Sequence, residues 1–236
     1  YQPQYALKDG TLKGYEALIR WDHPTKGIIR PDDFIPIAED TGLIEEIGTW
    51  VLNHACREAA LWQDRSRKVA VNVSPPQFIA GETQKRVAQA LQNSRLDPKR
   101  LEIEITESLL ISNTDAVIET LQQIRDMGVS IAMDDFGTGY SSLSYLGLFP
   151  FDKIKVDRAF TQSLETNPHA RAILRSAVLL GHSFKIPVIA EGVETERQLQ
   201  FLHKAGCLQV QGFLFGKHLL PSQIKKFHPS LDRTGS

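Results

Sequence analysis

Seven polar side chains recur at matching places in successive apolar runs of this sequence: Glu16, Asn72, Glu104, Asp134, Lys155, Glu191 and Gln211. An eighth, Asp135, directly follows Asp134 in the stretch IAMDDFGTGYSS. Adjacent carboxylates repel, and burying one uncompensated charge costs several kcal/mol, roughly. Such a pair needs a counter-charge. The set is mostly acidic, with one Asn and neither His nor Cys, and hard oxygen donors suit Mg²⁺ or Mn²⁺. Asp134 is placed to bridge two ions and Asp135 to hold the second. Two such ions about 4 Å apart clamp an in-line phosphoryl displacement. Lys155 and Arg20 would balance phosphate charge or orient a water. The competing reading is a buried salt-bridge network that holds no metal.

The elements that must position these groups follow from periodicity. Side chains alternate across a strand. In LEIEIT, Leu101, Ile103 and Ile105 share one face, and Glu102, Glu104 and Thr106 the other. KVAVNVS, SIAMD and DKIKV alternate likewise, with Asn72, Asp134 and Lys155 opposite the apolar face. Strands are expected at 2–7, 13–19, 68–74, 101–106, 130–134, 152–156, 187–191 and 209–213. The first two form an antiparallel hairpin about Asp9-Gly10. Helical spacing marks 34–39, 43–62, 83–93, 115–127, 169–184 and 195–205. Strands alternating with helices call for parallel pairing, and eight strands close a barrel. The fold class is therefore α/β: a TIM-like (β/α)8 barrel whose opening strand runs antiparallel. An open doubly wound sheet is the alternative, but no glycine-rich fingerprint follows the first strand. In the barrel, the polar residues nearest the strand C-terminal ends converge on the mouth, where barrel enzymes hold their sites.

Composition narrows the class. The chain has 236 residues, 42% apolar and 23% charged, as expected of a globular protein. A net charge of −1 offers no global field for a nucleic-acid polymer or an anionic membrane. Cys56 and Cys207 lack metal-ligand spacing and are expected to be reduced thiols, which points to the cytoplasm. No signal peptide or membrane-spanning run is evident. GTGYSS lacks the GKS/T of a phosphate loop, and GYSSL lacks the nucleophile elbow of a serine hydrolase. Gly137 and Gly139 suit either a mobile loop or a tight strand–helix turn.

These residues fall in a series of ordered motifs: YQPQ, EALIRWDHP, PDDFIPIAEDTG, VNVSPPQF, EITES, DDFGTGYSSLSYL, FDKIKVD, AEGVET and QGFLF. Together they resemble the EAL domains, bacterial phosphodiesterases of cyclic di-GMP, over almost the whole chain. The resemblance implies a single EAL-type domain over 1–236, excised from a longer protein that carries sensor or GGDEF domains and is itself cytoplasmic or membrane-anchored. It implies hydrolysis of cyclic di-GMP to linear pGpG with two Mg²⁺ or Mn²⁺ ions. Glu16, Asn72, Glu104 and Asp134 would bind one ion, and Asp134, Asp135 and Glu191 the other. Lys155, Glu191 and Gln211 would position or deprotonate the attacking water. Gln2, Leu18, Arg20 and Asp152 match nucleotide-contacting positions. Glu107 matches the glutamate that anchors the DFGTGYSS loop, which is linked to control through a homodimer. His23 is read as structural.

The sequence departs from the family pattern at Leu208, where Asp is common, and at His218, where Pro is common. Neither belongs to the metal set. Two other functions remain in play: a non-catalytic cyclic di-GMP receptor, and a barrel hydrolase of another phosphodiester. Degenerate family members lose the EAL, DDF or Lys/Glu residues, all of which this chain retains.

Overall fold

The computed structural model describes residues 1–79, 81–112, 114–138, 149 and 151–224. Eight strands close a barrel in the order β1-β10-β9-β8-β7-β6-β5-β2. They are β1 (Gln2–Ala6), β2 (Leu12–Ala17), β5 (Lys68–Asn72), β6 (Leu101–Thr106), β7 (Ser130–Phe136), β8 (Lys153–Val156), β9 (Val188–Ala190) and β10 (Gln209–Gln211). β1 is antiparallel to both neighbours, β2 and β10. The other six pairings are parallel. The expected barrel with its reversed opening strand is what forms.

Alternation sorts the side chains as the pattern requires. Val69, Val71, Leu101, Ile103, Ile105, Ile131, Ile154 and Val156 are almost wholly buried. Each such residue contributes about 1.5–3 kcal/mol by leaving water. The longest helix among the described residues, Ile44–Leu61, buries a stripe of Ile44, Gly48, Leu52, Ala55, Cys56 and Ala59. The opposite faces of the strands fill the lumen with polar groups. Nearer the closed end, Lys153 Nζ donates to Glu102 Oε1 at 2.5 Å and to Gln4 Oε1 at 3.2 Å. The larger cluster lies toward the mouth.

Several short elements escaped the periodicity reading because they span barely one turn or one strand pair. Trp21–His23 (β3) and Gly27–Ile29 (β4) form a separate two-stranded sheet. Within its turn, His23 Nδ1 accepts from the backbone N–H of Thr25 and Lys26 at 3.2 and 3.3 Å, a structural role. Pro75-Pro76 ends strand β5 and also opens a short helix, Pro75–Ile79, since proline suits the first helical turn. Further short helices run Glu107–Ser112, Arg158–Ser163 and Pro221–Ile224. Cys56 and Cys207 are free and buried. No helix among the described residues is long and apolar enough to cross a membrane.

Candidate active site

The site is organised around one ammonium. Lys155, on β8, is fully buried, and its Nζ lies 2.7 Å from Glu104 Oε2, 3.0 Å from Asp134 Oδ2, 2.7 Å from Glu191 Oε1 and 3.6 Å from Glu16 Oε1. Four carboxylates from four different chain segments thus share one lysine. Asn72 Nδ2 donates to Glu16 Oε1 at 2.7 Å, and Gln211 Nε2 donates to Glu16 Oε2 at 2.5 Å and Gln2 Oε1 at 2.9 Å. The expected set Glu16, Asn72, Glu104, Asp134, Lys155, Glu191 and Gln211 is therefore brought together.

Asp135 reaches the same mouth by a break in the strand. A regular strand would send Asp134 and Asp135 to opposite faces. The β7–β8 register shifts between Met133 and Phe136, and Asp135 adopts φ 55°, uncommon outside glycine. Its backbone N–H donates to Asp134 Oδ1 at 2.9 Å. Strain at this point places two consecutive carboxylates at one rim, as strained residues at functional sites do. Just beyond, Gly137 N–H points to Glu107 Oε2 at 3.4 Å. Gly139 and most of the GTGYSS segment lie outside the described residues, so only its first anchor is visible.

The β9 and β10 ends are held together by a close approach. A Cβ on Gly212 would fall 2.2 Å from both Val193 N and Val193 O. The bare glycine lets Val193 N–H donate to Gln211 O at 3.0 Å and Leu214 N–H donate to Val193 O at 3.0 Å. That contact sets Glu191 beside Gln211.

Above this cluster opens a cleft of about 760 Å³, within the range of small-molecule sites. Gln2, Glu16, Leu18, Arg20, Asp135, Glu191 and Gln211 line it. Asp152 is a correction. It sits at the N-terminal end of β8, the opposite end from the mouth. There it accepts from Arg125 at 3.0 and 3.2 Å and from the Ile131 N–H at 2.8 Å, tying a helix to the start of β7. A carboxylate so engaged is a packing device, not a nucleotide contact.

The cleft also contains residues that the sequence reading did not assign to the site, among them Arg30, Asp32, Asp157, Arg158 and Phe213, together with His218, which it noted only as a departure from the family pattern. Asp157 was within reach of the alternation argument. It continues the lumen-facing series Lys153, Lys155, and was lost only because the strand was ended at Val156. Its carboxylate accepts from Ala159 N–H at 2.8 Å, capping the helix that follows.

The crowding of charge governs proton affinity. Burial drives Glu104 well above the usual carboxylate range, with Glu16 and Asp134 adding to the effect and Lys155 opposing it. Burial likewise raises Asp134. Glu191 is pushed up to about 8, first by burial and then by Asp134 and Glu16, against the pull of Lys155. Asp135 is pushed up to about 6 by burial and by Asp134 and Asp157. Glu16 is the exception: burial opposes its charge, but Lys155 and the Gln211 and Asn72 amides hold it below its ordinary value. Burial also works against the Lys155 charge, and the four carboxylates more than overcome it.

The donor set fits a divalent cation. Oxygens of Glu16, Glu104 and Asp134 lie within 4.8 Å of one another. Glu104 Oε1 and Gln211 Oε1 are buried acceptors that meet no donor. Four carboxylates on one ammonium leave negative charge in excess, and oxygen-only donors suit a hard ion. These carboxylates could hold a metal.

A stability test follows. In the metal-free domain, Glu104, Asp134, Asp135 and Glu191 keep protons that an unfolded chain releases near pH 4. Between about pH 4.5 and about 8 the folded state thus binds more protons, so stability falls as pH rises. Glu16 acts oppositely, but only as pH drops below its ordinary range. In EDTA, the melting temperature should be several degrees lower at pH 8 than at pH 5.5, and saturating Mg²⁺ should shrink the gap. A gap that ignores Mg²⁺ would place its cause elsewhere.

The site is thus an acid-lined mouth at the strand C-terminal ends of a closed α/β barrel. The comparisons give the family. The EAL domain model matches residues 1–218, and the chain belongs to that family. It is 44% identical over 227 residues to MucR of Pseudomonas aeruginosa, described as a bifunctional diguanylate cyclase/cyclic di-GMP phosphodiesterase; the match covers 95% of this chain and 33% of that protein. An uncharacterized signaling protein of Caulobacter vibrioides is 48% identical over 217 residues, covering 92% and 27%. Among solved structures, the MucR phosphodiesterase in complex with c-di-GMP superposes with a TM-score of 0.92 at 43% identity, covering 95% of this chain and 92% of that one. The EAL enzyme Bd1971, bound to cAMP and cyclic di-GMP, gives 0.91 at 32%, covering 96% and 63%. The chain spans about a third or less of the length of the curated relatives named here.

Proposed function

We propose that this domain hydrolyses cyclic di-GMP to linear pGpG in a reaction that requires Mg²⁺ or Mn²⁺, two ions per site. The observation that carries the reading is the gathering of Glu16, Glu104, Asp134 and Glu191 on Lys155 beneath a cleft of nucleotide dimensions. The cyclic di-GMP bound in the related MucR structure supports the choice of substrate.

Glu16, Asn72, Glu104 and Asp134 would hold one ion, and Asp134, Asp135 and Glu191 the other. Bound there, divalent ions supply Lewis acidity and neutralise charge building on the phosphate. Glu191, beside Lys155, would take the proton of the attacking water. Lys155 keeps its charge throughout and steadies the carboxylates. The Gln211 amide orients the water and Glu16. Arg20, at the rim, pairs with a phosphate, while Gln2 and Leu18 line the path of the nucleotide. Glu107 tethers the loop after Asp135 through Gly137, and that loop would link turnover to a homodimer. Relatives much longer than this chain support its being one domain of a larger signalling protein with sensor or GGDEF partners.

The decisive experiment is incubation of the purified chain with cyclic di-GMP and Mg²⁺ or Mn²⁺, the nucleotides being resolved by chromatography. EDTA-sensitive appearance of pGpG is expected. Intact binding without product would make the domain a receptor instead, and cleavage of other phosphodiesters in preference would overturn the substrate.

A further inference from the structure

His218 stands at the cleft rim, in the segment that follows β10. Its Nε2 lies 3.4 Å from Arg20 Nη2, and Arg20 Nη1 donates to the Ile19 carbonyl at 2.8 Å. The guanidinium is thus held on both arms of its fork. An exposed arginine without such holds samples many rotamers and loses that freedom when it meets a ligand. Arginine only donates, so Nε2 must be the acceptor, which requires a neutral ring protonated at Nδ1. Phe213 packs edge-on against the imidazole, with centroids 5.4 Å apart and planes at 85°.

The charges around the ring favour that neutral form. Burial lowers its proton affinity, and Arg20 lowers it further against the pull of Glu16. Arg30 and Asp32, which also line the cleft, act on Arg20 with opposite signs. Behind the rim, His54 shares a second groove with His218.

We infer that His218 is a positioning residue: it holds Arg20 ready for a phosphate of the nucleotide, and protonation of its ring releases Arg20 and weakens substrate binding. This rests on the reading of the cleft as a cyclic di-GMP site. His218 acts through Arg20, so its effect belongs in KM and not in kcat.

The test compares the unchanged chain with His218→Ala and His218→Gln, in Mg²⁺, from pH 5.5 to 8.5. His218→Ala should raise KM roughly 3–10-fold, the worth of one modest hydrogen bond, with kcat within about twofold. His218→Gln, which offers an acceptor oxygen that does not titrate, should restore KM at pH 7.5. It should also reduce the rise in KM that the unchanged chain shows on acidification, leaving only the part owed to protonation of the metal-site carboxylates. Unaltered KM in His218→Ala, or an identical acid limb in His218→Gln, overturns the inference. A second readout needs no substrate. The NMR titration midpoint of His218 should rise in Arg20→Met, and an unmoved midpoint overturns the contact. Failure of the unchanged chain to bind or cleave cyclic di-GMP would sink the site reading itself, and would be seen before any variant was made.

Discussion

Replacing Glu191 by Gln is expected to lower kcat for pGpG formation by roughly 10³-fold, within the range for loss of a general base. Cyclic di-GMP should still bind. The amide matches the carboxylate in shape and can keep its place beside Lys155, whose Nζ lies 2.7 Å from Glu191 Oε1. It cannot take a proton from water. The same substitution should raise, not lower, the melting temperature in EDTA at pH 8. One like charge leaves a cluster in which four carboxylates share an ammonium, and like charges packed together disfavour the ionised state. Turnover and thermal stability moving in opposite directions is the signature of a residue kept for chemistry at the expense of the fold. Full activity in the variant would remove Glu191 from the proton-transfer role.

The Lys155→Met variant should behave in the opposite way. Methionine fills the same volume without charge. Among the described residues, no other cationic side chain lies within 4.0 Å of Glu16, Glu104, Asp134 or Glu191. Breaking a buried ion pair by removing one partner costs about 3–5 kcal/mol. For a domain of this size that is roughly 6–20 °C in melting temperature. The loss should be greatest in EDTA at pH 8. At pH 5 it should be smaller, because burial raises the proton affinity of Glu104, Asp134 and Glu191, and Glu191, pushed up to about 8, already carries its proton there. Saturating Mg²⁺ should recover part of it by supplying the missing positive charge. Turnover should be lost in every condition. An equal loss at both pH values, unmoved by Mg²⁺, would mean that Lys155 serves packing and not charge balance.

Much of this molecule could be read one residue at a time. Strand alternation alone assigned Glu104, Asp134 and Lys155 to the lumen, and a mouth built from strand ends followed from the count of eight. The motif resemblance, not the alternation, put Asp152 at the nucleotide, whereas it lies at the far end of β8. Position along a strand decides which end of the barrel a residue occupies, and Asp152 precedes β8 where Lys155 lies within it. Asp157 was missed for the converse reason, one residue beyond an assigned boundary.

What the sequence determined by itself is local and periodic: which residues alternate, which runs are strands or helices, which motifs mark the EAL family. These depend on neighbours within a few positions, where chain geometry leaves little choice. What only the tertiary structure decided depends on segments far apart in the chain. The bulge that turns Asp135 to the rim arises from pairing between β7 and β8. The contact of Arg20 with His218 joins residues 198 positions apart. The sharing of one ammonium among four carboxylates appears only when the barrel closes, because Coulomb energy and burial depend on distance through space, not along the chain.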